Sequence, residues 1–268
     1  MDVIAYIAGE FPLRSETFVY REVRALRQRG RTVICVTLNP PHDPPPDDDD
    51  LVRGRLMVYG FAKAATLKAA IAEMARHPLR ALRTLWMAKL DALLPGELMS
   101  MRARLKLPMQ AVMAIGLSRR LRHRGVTHIH AHFAHAPATV AMYAATQLGI
   151  PFSFTGHAND LFHRRALLKR KLARAKFVAC ISEWHRALYR SVCDRPAEQY
   201  PVIRCGVDTS EFAPRQRASS DGPMKVLTVG RLVEKKGIDT LVRALHALDP
   251  TRTRWSLTIA GDGPQRAR

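Results

Sequence analysis

Short, β-branched apolar runs alternate with helix-length stretches along most of this chain, and that alternation leaves few folds open. The run DVIAYIA over 2–8 gives way from Ser15 to a helical pattern, with Val19, Val23 and Leu26 at i, i+4 and i+7 and Gly30 as its stop. Thr32–Leu38 (TVICVTL) is again strand-like. Further on, expected strands at Thr127–His132, Pro151–Thr155, Phe177–Ile181 and Tyr200–Arg204 are separated by expected helices at Ala138–Leu148, Asp160–Lys176 and Glu183–Cys193. Apolar strands divided by helices imply a parallel sheet covered on both faces. The expected fold class is therefore α/β, a doubly wound, Rossmann-like domain over 1–212. Between its elements, Asn39–Asp50 (NPPHDPPPDDDD) reads as surface loop, because the prolines remove donors and adjacent aspartates repel. Residues 213–223 (APRQRASSDGP) have the composition of a linker. Beyond them a strand at Lys225–Gly230, a helix at Ile238–Leu248 and a strand at Trp255–Ala260 form one βαβ unit. That is the opening of a second Rossmann-like domain over 224–268. A two-stranded pair cannot cover its own edges, so this domain is expected to be incomplete.

Charge narrows the partners. Lys plus Arg number 43 against 23 Asp plus Glu in 268 residues, a net +20 that calls for an anionic partner: nucleic acid, acidic lipid or phosphorylated small molecules. With 47% apolar residues, a disordered or collagen-like chain is excluded. Residues 61–124 hold thirteen basic residues against three acids, Glu73, Asp91 and Glu97, in a segment that reads as three or four amphipathic helices broken near Pro78, Pro95 and Pro108. This basic helical segment is either an ordinary solvated face or a surface that rests on anionic lipid headgroups. Cys35, Cys180, Cys193 and Cys205 lack metal-site spacing and read as buried, reduced thiols of a cytoplasmic protein. No basic region precedes the apolar start, so no signal peptide is read. The longest stretch without charge, Gly125–Asn159, is interrupted by Pro137, Gly149 and Pro151 and does not read as a spanning helix.

The richest chemical signal lies in the second domain. Gly230-Arg231-Leu232-Val233-Glu234-Lys235-Lys236-Gly237 follows a strand and opens a helix. In open α/β sheets ligands bind at the carboxyl ends of strands, where a helix start offers free N–H groups. Arg231 as a fork and Lys236 as a point charge suit a diphosphate there. A second turn, Gly261-Asp262-Gly263-Pro264, follows the next strand on the same edge.

GRLVEKKGIDTLVRAL followed by LTIAGDGP resembles the donor domain of retaining, GT-B fold glycosyltransferases of family 4. FPLRSETFVYREVRALRQRG, HIHAHFAHAPATVAMYAATQLGIPFSFTGHANDLF, FVACISEWHR and CGVDTSEFAP resemble, in order, the branch of that family that builds bacterial exopolysaccharides such as colanic acid and amylovoran. The resemblance implies transfer of a sugar from a nucleotide diphosphate donor to a saccharide or lipid-linked acceptor, with retained configuration. It implies a cytoplasmic protein at the inner face of the plasma membrane, held through the basic helices, with no cofactor, no metal and no nucleic acid partner. Residue by residue, Arg231 and Lys236 match the pair that holds the donor diphosphate. His157 matches the acceptor-side histidine at the reacting sugar, with Asp160 close by as the other catalytic candidate. Gly9 stands in the loop after the first strand where the backbone approaches the donor. Gly206, Asp208, Gly261 and Gly263 are cleft-loop positions. The family's downstream pair of glutamates lies beyond Arg268, so a truncated donor domain and little turnover, or an inactive remnant, are expected.

Two other classes are carried. His128, His130 and His132 alternate along one strand, with His135 just past it, a spacing compatible with zinc in a metal-dependent hydrolase; no acidic ligand is visible nearby in the sequence. A nucleic-acid binder would suit the charge, yet no recognition motif accompanies it.

Overall fold

A computed structural model describes residues 2–94, 99–157, 165–207, 209–210, 222–248 and 254–267, which fall into two compact units, Met1–Val207 and Asp208–Arg268. The first unit runs β1 (Val3–Glu10), α1 (Thr17–Gln28), β2 (Thr32–Asn39), α2 (Asp49–Val52), β3 (Leu56–Met57), α3 (Lys63–Arg76), α4 (Pro78–Leu93) and α5 (Met101–Arg122). It continues through β4 (Val126–His132), α6 (Ala136–Leu148), β5 (Phe152–Thr155), α7 (Leu168–Arg174), β6 (Val178–Ala179) and α8 (Glu183–Val192). The second unit holds β7 (Met224–Val229), α9 (Ile238–His246) and β8 (Trp255–Ala260).

Six parallel strands stand in the order β3-β2-β1-β4-β5-β6. The chain builds outward from β1 in one direction, then returns to build outward from β4 in the other. The order therefore reverses between β1 and β4, and in doubly wound sheets ligands gather at such a switch point, at the carboxyl ends of the strands. Alternation sorts the side chains. Ala5, Ile7, Ile129 and Ala131 face a core shared with α5 and α6, while Tyr6, Ala8 and Cys35 face Val19 and Val23 of α1. The register sets Tyr6 beside His130, which places the odd and even residues of β4 on the same two faces.

The helices over 63–122 are part of the core rather than an appendage. Beyond Pro108, α5 buries Ala111, Met113, Ala114, Ile115, Leu117 and Leu121 and leads the chain across into β4. Pro78 opens α4 as expected, but Pro108 lies inside α5 and does not break it. An interior proline costs about 3 kcal/mol; six buried apolar side chains on the following turns outweigh that. Gly116 lets α5 approach α3 closely: a Cβ there would sit 2.1 Å from the Thr66 carbonyl oxygen.

Several other expectations change. The proline-rich loop ends in a helical turn, α2, because Asp49 and Asp50 occupy its first turn, where the dipole favours acids, and Arg24 bonds both oxygens of Asp50 at 2.7 and 3.0 Å. β3 has only two residues and no periodic signal. The strand expected at 200–204 reduces to a bridge between Cys180 and Val202. The chain then leaves the sheet, so Cys205 is exposed rather than buried and Cys193 is only half-buried. Cys35 and Cys180 are buried, and desolvation pushes their thiols up to about 11 and about 12, which keeps them unreactive. α7 covers only the end of the expected 160–176 helix, whose beginning lies outside the described residues.

In the second unit β7 and β8 pair in parallel from Met224↔Trp255 to Val229↔Ala260. Among its described residues the buried apolar side chains are Leu232 and Leu245, while Leu227 and Val229 are 66% and 74% exposed. So little burial makes it the less stable unit. Brief trypsin treatment is expected to cut after Arg231, Lys235 or Lys236 before any site in α5, as read by mass spectrometry. Simultaneous cleavage in both units would contradict this.

Candidate active site

At the carboxyl end of β4 the chain leaves the sheet through Phe133, whose φ of +75° is left-handed. A bulky side chain there costs about 1–3 kcal/mol. The turn is held by its surroundings: Phe133 N–H donates to the Thr155 carbonyl at 2.8 Å, and its ring stacks on His135 at 5.5 Å. Lys171 of α7 is fully buried and donates to the carbonyls of Ala134, His135 and Ala166 at 2.5, 3.1 and 2.7 Å. A buried ammonium so surrounded fixes the turn beside which His157 sits.

His128, His130 and His132 lie on the face covered by α1. Ser153 Oγ is shared by His128 Nε2 and His130 Nδ1, both at 2.7 Å, and His130 Nε2 meets Thr155 Oγ1 at 3.0 Å. Both nitrogens of His130 are thus engaged. His132 behaves differently. Its Nδ1 faces His157 Nε2 at 3.5 Å and its Nε2 faces Glu22 Oε2 at 3.5 Å, a buried nitrogen without a closer partner. Glu22 also accepts from Tyr6 Oη at 2.7 Å. Tyr6, Glu22, His132 and His157 therefore form one line of polar atoms that ends at the carboxyl edge. Phe18 and Phe133 close over His157, with ring centroids at 4.4 and 4.9 Å.

Burial keeps these imidazoles neutral. It takes His130 down to about 3 and His157 to about 4, and lowers His132 well below the ordinary range, with neighbouring histidines adding to each effect. His185 is the neighbour that acts on His157. Burial raises the Glu22 carboxyl, against the pull of the Tyr6 hydroxyl. Glu22, His130 and His132 each bring a ligand atom within 4.8 Å of the others, so an acid does stand near the histidines, contrary to the reading from sequence. α1 supplies it from across the sheet. Because Ser153 and Thr155 occupy His130, only Glu22 and His132 stand open to an ion without rearrangement.

In the second unit two glycine turns meet backbone to backbone. Leu232 N–H donates to the Asp262 carbonyl at 2.8 Å and Gln265 N–H to that of Leu232 at 3.1 Å. A Cβ on Gly261 would lie 1.9 Å from the Gly230 oxygen, and one on Gly263 would lie 2.5 Å from that of Leu232. Only glycine permits this contact. Arg231 and Lys236 stand exposed on the segment joining β7 to α9, which opens at Gly237 with φ +62° and no side-chain cap. Uncapped N–H groups and two exposed cations thus stand together at a strand end.

Of the residues singled out from sequence, His157 joins the histidine cluster, and Arg231, Gly261 and Gly263 come together in the paired turns. Gly9 is not in a loop: β1 runs to Glu10, which pairs with Asn39, and Gly9 lies within the strand. Gly206 is exposed, and a Cβ added to it would meet nothing within 4 Å. Asp160 and Asp208 lie outside the described residues. Glu22, Tyr6 and His132 were not singled out as members of one line. The available signal was Phe18 and Glu22 at i and i+4 beside the buried Val19 and Val23 of α1.

Comparison with known proteins identifies the two regions. Residues 89–211 match the family Glycosyltransferase Family 4, and residues 209–268 match Glycosyl transferases group 1. WcaL of Escherichia coli, assigned to colanic acid biosynthesis, is 29% identical over 148 residues, 52% of this chain and 36% of that protein. AmsK, an amylovoran biosynthesis glycosyltransferase of Erwinia amylovora, is 29% identical over 119 residues, 42% of this chain and 29% of that protein. The chain thus spans about a third of the length of these relatives. Among solved structures, the catalytic domain of Arabidopsis thaliana starch synthase IV, bound to ADP and acarbose, aligns with TM-score 0.57 at 14% identity, over 98% of this chain and 69% of the other. Anabaena HepE in complex with UDP-glucose aligns with TM-score 0.54 at 13% identity, over 98% and 61%. The likeness to these solved structures shows the GT-B fold.

Proposed function

We propose that this chain, a family 4-type glycosyltransferase by sequence and fold, transfers a sugar from a nucleotide diphosphate to a saccharide or lipid-linked acceptor in exopolysaccharide synthesis, with retained configuration. The observation that carries the reading is the pair of glycine turns at the ends of β7 and β8, with Arg231 and Lys236 beside them. In the transfer, the bond from the anomeric carbon to the diphosphate oxygen breaks and a bond to an acceptor oxygen forms on the same face. The acceptor proton leaves with the diphosphate. Arg231 and Lys236 offset the charge that develops on the leaving group, so that this reading needs no metal or cofactor.

His157 works as a neutral imidazole. Phe18 and Phe133 keep water from the faces of its ring, beside the carboxyl edge of the sheet. Asp160, three residues on, is the second acceptor-side candidate. The relatives named for colanic acid and amylovoran synthesis support an exopolysaccharide acceptor.

Calorimetric titration with UDP, GDP and ADP tests the donor half. At least one is expected to bind, and an Arg231→Ala/Lys236→Ala double variant is expected to weaken it by about tenfold or more. Equal affinity in wild type and variant would overturn the assignment. A metal-dependent hydrolase remains the second reading, favoured by the Glu22–His130–His132 grouping alone. Zinc titration against a competing chelator, in wild type and His132→Asn, separates the two.

A further inference from the structure

One face of α1 brings two side chains to the histidines at the carboxyl edge of the sheet. Val19 and Val23, 1% and 0% exposed, seat the helix against Tyr6 and Cys35. Phe18 and Glu22, four residues apart, then stand one above the other. Phe18 packs on His157 at 4.4 Å between ring centroids, and Glu22 Oε2 lies 3.5 Å from His132 Nε2. The helix that covers His157 therefore also carries the acid that faces its neighbour.

The line from Tyr6 to His157 admits one arrangement of protons. Burial holds the proton on the Tyr6 phenol. Among the described residues its hydrogen-bond partner is Glu22 Oε1 at 2.7 Å, so the phenol donates there. That hydroxyl favours the charged carboxylate against the burial that raises it, and so does solvent, which reaches 43% of the Glu22 side chain. A carboxylate only accepts, which assigns the proton of neutral His132 to Nε2 and leaves its Nδ1 bare. Nδ1 faces His157 Nε2 at 3.5 Å, so neutral His157 in turn carries its proton on Nε2. Polar contacts of this length are common in unliganded sites and tighten when substrate binds.

We propose that Glu22 is a positioning residue for the transfer: through His132 it fixes the proton of His157 on Nε2 and makes Nδ1 the acceptor nitrogen. An acceptor nitrogen takes a hydrogen bond from a hydroxyl, whereas the opposite tautomer could only donate one there. The role in transfer rests on the reading of His157 as an acceptor-side residue; the tautomers do not. An acid that only held α1 on the sheet would leave the protonated nitrogen of either ring unchanged.

Long-range 1H–15N correlation spectra of the full chain, labelled with 15N-histidine and kept in chelator, read the protonated nitrogen of each ring. Spectra of His132→Asn and His157→Asn assign the two signals among the eleven histidines. At pH 7.5 both rings are expected to be protonated on Nε2. In Glu22→Gln the Tyr6 hydroxyl holds the amide oxygen and the amide N–H faces His132. Both rings are then expected to switch to Nδ1, with circular dichroism matching wild type. Tyr6→Phe loses the same tie to α1 but keeps the carboxylate, and its rings should remain as in wild type. A wild-type His157 protonated on Nδ1 would overturn the proposal, and this reading stands even where a variant fails to fold. So would rings that ignore Glu22→Gln, or rings that switch in Tyr6→Phe, which would trace the tautomers to the packing of α1. No donor or acceptor is present, so nucleotide titration tests the transferase reading separately, and its failure leaves the tautomer result intact.

Discussion

Acidification from pH 7.5 to pH 5 is expected to destabilise the first unit by several kcal/mol, read as a lower urea midpoint. His130 and His157 have folded values of about 3 and about 4, and His132 is held well below the ordinary 6.5. A histidine depressed in the folded state binds its proton more readily when unfolded, so below pH 6.5 protons drive unfolding. The stability is fully present above about 6.5 and is lost as pH falls toward the folded values. Each such group contributes at most about 1.4 kcal/mol per pH unit within that window, and three together about 4. The raised carboxyl of Glu22 acts in the opposite direction and trims the slope. His128 and His185 are also lowered by burial and add to it. A His132→Gln variant should shrink the difference between pH 7.5 and 5 by about a third. Identical midpoints at the two pH values in wild type would show that the imidazoles are not buried as described.

Substituting alanine for Gly116 is the second change with a large expected effect. The added methyl would stand 2.1 Å from the Thr66 carbonyl oxygen and 2.9 Å from its Cγ2. Neither can yield alone, since the oxygen belongs to the backbone of α3. The two helices must move apart, and overpacking of this kind costs about 3 kcal/mol, less the roughly 1 kcal/mol that alanine gains over glycine in a helix. For a unit of this size the remaining 2 kcal/mol or so lowers the melting temperature by about 4–8 °C. Gly206→Ala is the control: nothing lies within 4 Å of its Cβ. A Gly116→Ala protein as stable as that control would mean that α3 and α5 do not cross as closely as described.

Both expectations depend on packing that the chain's pattern shows only in part. The strands β1, β2, β4 and β5 were legible because a parallel sheet buried on both faces demands apolar, β-branched runs, and β7 and β8 carry the same kind of run in a more exposed pair. β3 was not, since two residues carry no period. Pro108 read as a break because local chemistry argues so, whereas α5 is carried through it by the six apolar residues it buries afterwards. The paired glycine turns announced themselves, as only glycine tolerates such backbone contact. Glu22 did not. Its meeting with His132 depends on α1 crossing the face of β4, a relation between residues more than a hundred positions apart. The orientation of α4, which buries Ala81, Thr84, Ala88 and Asp91 and leaves Leu79, Leu82 and Trp86 exposed, was equally hidden, because amphipathic periodicity reports that a helix has two faces and not which one turns inward.

The sheet of the first unit narrows at both sides. β1 and β2 have eight residues each, while the outermost strands, β3 and β6, have two. A strand of two residues offers an incoming chain almost no row of unpaired amides on which to dock. A protein at high local concentration meets copies of itself far more often than one in dilute solution. Tapered edges deny those encounters a template for cross-strand growth, so crowding of this unit is tolerated without the sheets of neighbouring molecules joining.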